Sequence, residues 1–293
     1  MKKRAKGSRG QLTLDQYPEI ERMTLAEIDD HLKDMKEIPD YLRRKLADDN
    51  RRGTDVLLKK HLQQLKKRGT EEKRLSQLKR KERQLRKEGY QYIAGVDESG
   101  RGALAGPVLA AAVIMPAGSM IRGLDDGKRL SPKKRRLLYE KIKDRAIAAG
   151  VGSAGVRKIN DLGIISATRL AMERAIIDME RSPDYILIDG SINNPGGNPS
   201  MHCRQQAEIP CEGVKKGDRR IYSIAAASIL AKVKRDREMK CISSTFPGYK
   251  LDKNKGYGTP EHRQAVEKRG YSDIHRQKFR FHRLHQLSLP ISE

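Results

Sequence analysis

Residues 90–115 read YQYIAGVDESGRGALAGPVLAAAVIM, and this stretch decides the fold. A nearly continuous apolar run ends in two adjacent carboxylates, Asp97 and Glu98, a Gly-Arg-Gly turn follows, and a second apolar run comes after it. Short apolar runs joined by a glycine-rich turn are typical of neighbouring buried strands. The pattern therefore predicts strands at 91–97 and 107–115 that pair antiparallel.

The two adjacent acids indicate a bound cation. Two carboxylates about 4 Å apart repel by roughly 4 kcal/mol at an effective dielectric constant of about 20. Unless one of them takes up a proton, a bound cation is the natural way to relieve that repulsion. The glycines that follow let the backbone approach a ligand closely, because no Cβ stands in the way. The combination predicts a metal-dependent site that acts on a phosphate. Neighbouring residues of a regular strand point to opposite faces, so Asp97 and Glu98 share this site only if the chain turns at Ser99 and Gly100.

The charge of the chain points to a polyanionic partner. The 293 residues include 62 lysines and arginines against 38 aspartates and glutamates, which gives a formal net charge of +24. Such a charge favours nucleic acid over a membrane surface as the partner, although it also serves solubility. No apolar run approaches the roughly 18 residues that cross a bilayer. The basic N-terminus has no apolar segment behind it, so we expect neither a secretory signal nor a membrane partner.

The cysteines favour a cytoplasmic location. Cys203, Cys211 and Cys241 form an odd and widely spaced set, which suits a reducing compartment better than a disulfide framework. His202 stands beside Cys203, but the set lacks a paired C-x-x-C arrangement, and we do not expect zinc there.

The composition changes near residue 88. Residues 1–88 are highly charged and patterned for helices, with a capping-box pair at Thr24 and Glu27. Residues 66–88 place leucines on one helical face and basic residues around the rest. Two interpretations of this segment stay open: a solvated helical linker, or a basic helix that lies along a phosphate backbone.

Strands and helices alternate after residue 88. This order predicts an α/β fold with a mixed sheet and helices on both faces. Residues 191–214 look like a long loop. The further elements that we predict are helices from Pro132 to about Ala149 and at 161–181, 222–243 and 260–268, and strands at 150–157 and 184–189.

Two more acids complete the candidate site. Asp189 ends an apolar strand and precedes a glycine, as expected where the carboxyl ends of strands build a site. Asp218 lies in the loop segment KKGDRR, among bases. Together with Asp97 and Glu98 they form a set of hard oxygen donors that suits Mg²⁺ or Mn²⁺. Asp236, in a helix of mixed charge, is expected to be an ion-pair partner rather than a ligand.

The segment IAGVDESGRGALAGPVLAAAVI closely resembles the signature of bacterial ribonuclease HII. Further segments resemble that family in the same order, and the likeness covers about 89–285. They are LDDGKRLSPKKR at 124–135, ILIDG at 186–190, KKGD at 215–218, SIAAASILAKVKRDREM at 223–239 and KGYGT at 255–259.

The resemblance implies a ribonuclease H-like fold with a small helical N-terminal extension. It also implies a nuclease that cuts RNA in RNA–DNA hybrids, and single ribonucleotides embedded in duplex DNA, with Mn²⁺ or Mg²⁺. Asp97, Glu98, Asp189 and Asp218 would be the catalytic carboxylates and metal ligands. By the same resemblance, the residues that contact the substrate would be Gly100, Arg101, Gly102 and Tyr257.

Physical reasoning is consistent with that activity. Two ions about 4 Å apart can bracket a scissile phosphate, which would leave a 5′-phosphate and a 3′-hydroxyl. Selectivity for RNA needs a reader of the 2′-hydroxyl, and backbone groups of 100–102 can approach it. The ring of Tyr257 would stack on the deoxyribose just downstream, whereas a loop tyrosine packed on the helix at 260–268 is the alternative. Arg101 suits a phosphate.

Some features leave other interpretations open. Ser99 stands where the family usually has alanine or valine, and Asn254 where it often has histidine. The alternatives are a type III ribonuclease H, which prefers long hybrids, and a non-catalytic nucleic-acid binder. We predict a monomer with a helical extension at 1–88, a catalytic domain at 89–285 that ends in a helical part in contact with the substrate, and a tail at 286–293. His275, His282 and His285 lie among basic residues that would repel a cation, so we expect a basic tail that contacts phosphates there rather than a metal site.

Overall fold

The computed structural model of the protein describes residues 20–190, 200–202 and 208–279. The predictions for the tail at 286–293 and for Cys203, His282 and His285 fall outside the described residues. The chain forms two compact units, Met1–Lys73 and Arg74–Glu293. None of the helices in the described ranges is long and apolar enough to cross a membrane.

The first unit is helical. It contains α1 (Leu25–Lys33), α2 (Asp40–Ala47) and most of α3 (Thr54–Leu78). The predicted capping box is confirmed: the side chain of Thr24 accepts from the Glu27 N–H, and the carboxylate of Glu27 accepts from the Thr24 N–H. A small apolar core holds the helices together, and it includes Ile28, Leu32, Leu42, Leu46 and Leu58.

The second unit is built on a mixed sheet of six strands. Its strands are β1 (Ile93–Ser99), β2 (Val108–Ile114), β3 (Ala148–Ala154), β4 (Tyr185–Asp189), β5 (Ser200–His202) and β6 (Glu208–Val214), in the order β3-β2-β1-β4-β6-β5. The predicted antiparallel pairing of β1 with β2 is confirmed. Strand β4 runs parallel to β1 and to β6, so the carboxyl ends of these three strands meet at one edge.

Helices cover both faces of this sheet, as predicted. The helices of this unit are α4 (Arg80–Lys87), α5 (Pro132–Arg145), α6 (Val156–Ile177), α7 (Tyr222–Thr245), α8 (Leu251–Asn254) and α9 (Pro260–Arg269). Alternate residues of β2 divide between two cores, with Ala110 and Ala112 in the core of α6 and Ala111 and Val113 in the core of α5 and α7. This alternation is the period of two expected for a strand buried on both faces.

Helix α7 lies very close to β1. A Cβ at Gly95 would stand 2.2 Å from the carbonyl carbon of Ser223, so only glycine fits there without a shift of the helix. The close approach brings the N-terminus of α7 alongside the strand that carries Asp97 and Glu98.

Some predicted boundaries were wrong. Helix α5 ends at Arg145 rather than near Ala149, because Ala146 is extended and the Ile147 N–H donates to the Ile114 carbonyl, which starts β3. Residues 191–214 are not all loop, since β5 and β6 lie within them. Strand β6 contains Pro210, which argues against a strand in sequence, and it is held by non-local pairing with β4.

Residues 74–88 pack on the sheet unit. Leu75 and Leu78 are buried in the core beneath α5 and α7, and Leu85 packs with Ile93 and Leu187. The fully buried carboxylate of Glu82 accepts from the Ser223 N–H at 2.8 Å, which caps the first turn of α7. The compact unit therefore begins before residue 88, where the composition changes. A solvated linker does not describe residues 74–87, because one face of this segment is buried.

Candidate active site

Strand β1 carries the first two acids to the edge of the sheet. Asp97 is 3% exposed, and Glu98 is partly buried beside it. The strand continues through Ser99, and the chain then turns at Gly100, where φ is 91°. The Glu98 N–H donates to Asp97 Oδ1 at 2.7 Å, so the two residues are also joined through their own backbone.

Asp189 reaches the same place from the neighbouring strand. Val96 is paired with Ile188, so Asp97 and Asp189 each follow the last paired residue of two adjacent parallel strands. Asp189 Oδ1 accepts from the Gly217 N–H at 2.6 Å. That hydrogen bond ties the end of β4 to the loop that carries the fourth acid.

Asp218 is held in a short 3₁₀ turn before α7. The turn spans Gly217–Arg219, and it follows Lys216 in the left-handed region at φ 54°. The Ile221 N–H donates to the Gly217 carbonyl at 2.8 Å, which closes the turn against the start of α7. Asp218 is 7% exposed.

The four carboxylates influence one another electrostatically. Burial raises the pKa of Asp97 well above its usual range, and the charges of Glu98 and Asp189 raise it further. Burial also raises the pKa of Glu98, which Arg101 opposes and Asp189 reinforces. The pKa of Asp218 is raised by burial and then by Asp189. The structure therefore brings the four predicted residues into one field of like charge.

Lys128 and Asp126 also interact electrostatically with these carboxylates, although the sequence pattern predicts neither. Burial lowers the pKa of Lys128, but the charges of Asp97, Asp126 and Asp218 outweigh it and raise that pKa overall. Asp126 is 2% exposed and pairs with Arg219 at 3.1 Å. The segment LDDGKRL was the available signal, but a lysine and an acid in a polar loop have no distinguishing pattern.

The donor set suits a hard divalent cation. Carboxylates whose pKa values are raised by burial and by neighbouring negative charge are stabilised in their charged form by a bound cation. Within residues 20–190, 200–202 and 208–279, no three side chains of histidine, cysteine, aspartate or glutamate gather closely enough to hold one ion. Mg²⁺ is commonly bound through one or two carboxylates together with waters and substrate phosphates. The residues present fit that mode of binding.

Two buried arginines shape the loop after the acids. Arg276 donates to the carbonyls of Gly100, Arg101 and Gly106 at 2.8–2.9 Å, and its own exposure is zero. Burial lowers its pKa to about 9. The prediction that the basic residues near His275 contact phosphates was wrong for Arg276, because its side chain is directed inward.

Arg235 of α7 binds the same loop from the other side. It donates to the carbonyls of Ala105, Pro107 and Lys255 at 2.9–3.3 Å. A Cβ at Gly100 would lie 1.9 Å from Arg235 Nε, so the turn requires glycine both for its φ and for this contact. Sequence reasoning missed both arginines, since each stands in a basic run.

The loop at 255–258 is joined to the segment that directly follows the Gly-Arg-Gly turn. The N–H groups of Leu104 and Ala105 both donate to the carbonyl of Gly256, at 2.8 and 3.2 Å. Asn254 orders this loop, because its Oδ1 accepts from the Gly256 N–H and its Nδ2 donates to the Tyr249 carbonyl. The departure at Asn254 therefore fills a structural position.

Tyr257 lies between these loops and α7. Its ring centroid is 5.3 Å from Arg235 Cζ and 5.7 Å from Lys232 Nζ, and the residue is partly exposed. It contacts α9 through its carbonyl, which accepts from His262 Nδ1 at 2.9 Å. Arg101 is exposed, and its Nη1 lies 3.8 Å from Glu98 Oε1.

A buried histidine pair supports that carbonyl. His262 Nδ1 donates to Tyr257, so the Nε2 of a neutral His262 accepts, and His275 Nε2 donates to it at 3.2 Å. His275 Nδ1 in turn accepts from the Ser272 N–H at 3.0 Å. Burial lowers the pKa of both rings, to about 4 for His275. His275 therefore lies inside the protein rather than in an exposed basic tail.

Asp236 is an ion-pair partner, as predicted, with Lys232 at 2.6 Å and Arg135 at 3.2 Å.

Comparisons with known proteins show which family the chain resembles. The sequence model described as "Ribonuclease HII" matches residues 94–285, and the one described as "Ribonuclease HII N-terminal domain" matches residues 24–86. Ribonuclease HII of Bacillus cytotoxicus is 39% identical over 258 residues, which cover 88% of this chain and 95% of the relative. Ribonuclease HII of Desulfitobacterium hafniense is 42% identical over 260 residues, which cover 89% and 95%.

Two solved structures have a similar fold. Ribonuclease H2 of Pyrococcus horikoshii superposes with a TM-score of 0.54 at 22% identity, over 64% of this chain and 93% of its own. Ribonuclease HII of Archaeoglobus fulgidus, solved in complex with PCNA, gives a TM-score of 0.53 at 22% identity, over 65% and 96%.

Proposed function

The chain belongs to the ribonuclease HII family and is an endoribonuclease acting on RNA–DNA hybrids, and we propose that it also cuts on the 5′ side of single ribonucleotides embedded in duplex DNA. The observation that carries this proposal is the direct hydrogen bonding of Leu104 and Ala105, just after the Gly-Arg-Gly turn, to the loop of Tyr257. Two short loops in contact can together recognise a single ribose.

The proposal assigns the metal ligands to Asp97, Glu98, Asp189 and Asp218. Mn²⁺ or Mg²⁺ bound there would activate the attacking water and stabilise the leaving 3′-oxygen, which leaves a 5′-phosphate and a 3′-hydroxyl. The raised pKa values of Asp97, Glu98 and Asp218 support this assignment, because burial and then the neighbouring carboxylates raise them, and a bound cation would offset both effects. Lys128 partly balances the same negative charge.

Recognition of the ribose is assigned to the backbone of 100–102 and to Tyr257. The 2′-hydroxyl is the group that distinguishes RNA from DNA, and the turn presents peptide groups with a side chain only at Arg101. Buried Arg276 keeps that turn in one shape, because it holds the carbonyls of Gly100 and Arg101. Buried Arg235 holds the segment that follows, through the carbonyls of Ala105 and Pro107. The ring of Tyr257 is partly exposed and would stack on the adjacent deoxyribose, with Arg101 on a phosphate.

We also propose that the protein is monomeric and cytoplasmic. Cys211 and Cys241 are both free thiols, in accord with a reducing compartment.

The deciding experiment compares three substrates with the same sequence: a duplex with one ribonucleotide, a long RNA–DNA hybrid and an all-DNA duplex. We expect cleavage of the first two, with a single cut 5′ to the lone ribonucleotide, and none of the third. Cleavage of the long hybrid alone would favour a type III preference, and no cleavage at all would favour a binding protein.

A further inference from the structure

A basic groove of about 580 Å³ lies beside the loop that carries Asp218. One wall is formed by the end of α3 and by α4, and the other by the residues that follow Asp218. The cations that line it are Arg74, Arg80, Lys81, Arg219 and Arg220. The described residues that line the groove include glutamines and two apolar side chains but no carboxylate.

The helical wall is fixed to the sheet unit by its opposite face. Leu75, Leu78 and Leu85 are buried, and Glu82 caps α7. Lys79 Nζ donates to the Ala117 carbonyl at 2.8 Å. Because residues three and four apart share a helical face, these anchors direct the remaining face towards the groove.

The second wall continues directly from a catalytic acid. Arg219 and Arg220 follow Asp218 in the chain, and the turn is tied to Asp189 through the Gly217 N–H. Both arginines are exposed. The groove therefore begins within one residue of the carboxylates.

Only part of this positive charge is balanced within the protein. Lys81 pairs with Glu212 at 2.7 Å, and Arg219 pairs with Asp126 at 3.1 Å. Arg80 and Arg220 are exposed, and in the described part of the chain neither forms an ion pair with a carboxylate. Two cations from different elements are thus available to one ligand.

We propose that this groove binds the sugar–phosphate backbone of the substrate duplex where it runs past the catalytic carboxylates. The inference rests on the proposed function, since it extends the footprint of that same substrate. A duplex carries one negative charge per about 1.7 Å of its axis, so it can contact several cations of a groove at once. The carboxylates beside the groove repel that polyanion, and flanking cations offset the repulsion. The role of α4 is thus to supply phosphate contacts from a fixed position.

The test removes one cation from each wall. The variant Arg80→Gln/Arg220→Gln is compared with Lys141→Gln/Lys158→Gln, in which two exposed lysines that lie outside α4 and do not line the groove are replaced. Binding of a duplex with one ribonucleotide is measured at several salt concentrations without added divalent ion. Each lost phosphate contact lowers the magnitude of the slope of log K against log salt by about 0.9, so the groove variant should lose roughly 2. The control variant should keep the slope of the parent.

The outcomes separate this inference from the proposed function. An unchanged slope in the groove variant, with normal cleavage by the parent, would overturn the groove and leave the function standing. A flattened slope with no cleavage by the parent would support the groove and reject the function. Inorganic phosphate should compete only weakly, and full competition at millimolar phosphate would indicate a small-anion site and overturn a duplex ligand. Equal thermal unfolding of both variants confirms that they are folded.

Discussion

Arg276 Nη2 donates to the carbonyl of Gly100 at 2.8 Å, and this bond joins residues that lie 176 positions apart. Gly100 is the first residue of the turn after Asp97 and Glu98, and Arg276 lies near the end of the described chain. The C-terminal part of the catalytic unit therefore shapes the turn from behind, through a guanidinium that the substrate does not reach.

Replacement of Arg276 by Met should loosen this turn. Three carbonyls would lose their hydrogen-bond donor in a buried site, and we expect the free energy of unfolding to fall by about 2–4 kcal/mol. Urea denaturation measures the change. Arg276→Lys keeps the charge but not the three directed bonds, and it should recover only part of the stability. A variant as stable as the parent would show that the turn holds without Arg276.

Asp97→Asn and Asp189→Asn should each abolish cleavage while the hybrid still binds. The loss of several kcal/mol of charge stabilisation lowers the rate roughly 10³-fold or more. Binding persists because cations elsewhere supply most of the affinity. Cleavage rates at saturating Mn²⁺ and binding constants test this, with the exposed Asp144→Asn as the control. Near-normal turnover in either variant would remove that residue from the metal site.

Tyr257→Ala should slow cleavage at a lone ribonucleotide more than cleavage of a long hybrid. A long hybrid offers many cleavage sites, whereas cleavage at a lone ribonucleotide requires recognition of that one ribose. Tyr257→Phe keeps the ring and removes the hydroxyl, so it separates stacking from hydrogen bonding. Circular dichroism confirms the fold of each variant. If Tyr257→Ala cuts the lone-ribonucleotide duplex as fast as the parent, Tyr257 does not sense the sugar.

The histidine pair should make the protein acid-sensitive. His275 has a pKa of about 4 in the folded protein, below the ordinary value of 6.5, so the unfolded chain binds more protons between these values. Stability is therefore full above pH 6.5 and falls as the pH drops towards 4, by roughly 3 kcal/mol from this group. Denaturation midpoints between pH 4 and 7 measure the slope. His275→Asn keeps an acceptor for the Ser272 N–H without a titrating ring, and its slope should be shallower.

Two truncations should behave differently. A chain that begins at Arg74 keeps Leu75, Leu78, Glu82 and Leu85 and should fold with a working site. A chain that begins at Gly89 loses these buried groups and should fail to fold stably. Loss of each buried leucine side chain lowers the free energy of unfolding by about 2–5 kcal/mol. Thermal unfolding distinguishes them. Removal of the basic residues of 66–73 should also flatten the salt dependence of binding for the first chain, and an unchanged slope would assign them no phosphate contact.

Local patterns were enough to predict the centre of the fold. Strands β1, β2 and β4 are apolar runs bounded by glycine. Asp97 lies near the end of β1 and Asp189 ends β4, so short-range sequence predicts both the strands and these two acids. Strand β6 was missed because its pairing is non-local and Pro210 interrupts its pattern. Arg235, Arg276 and Lys128 were missed because the burial of a cation depends on distant carbonyls and carboxylates, which a basic run does not reveal.

The cap that Glu82 provides for α7 limits where chimeras between this enzyme and its relatives can be joined. Exchange of the N-terminal part between relatives, with a junction after α4, would replace the acceptor of the Ser223 N–H along with the helix. A catalytic unit without that helix must satisfy the same peptide group with water or with another side chain. Chimeric proteins with a junction before Arg74 should therefore tolerate exchange, because the donor and its acceptor then come from the same parent.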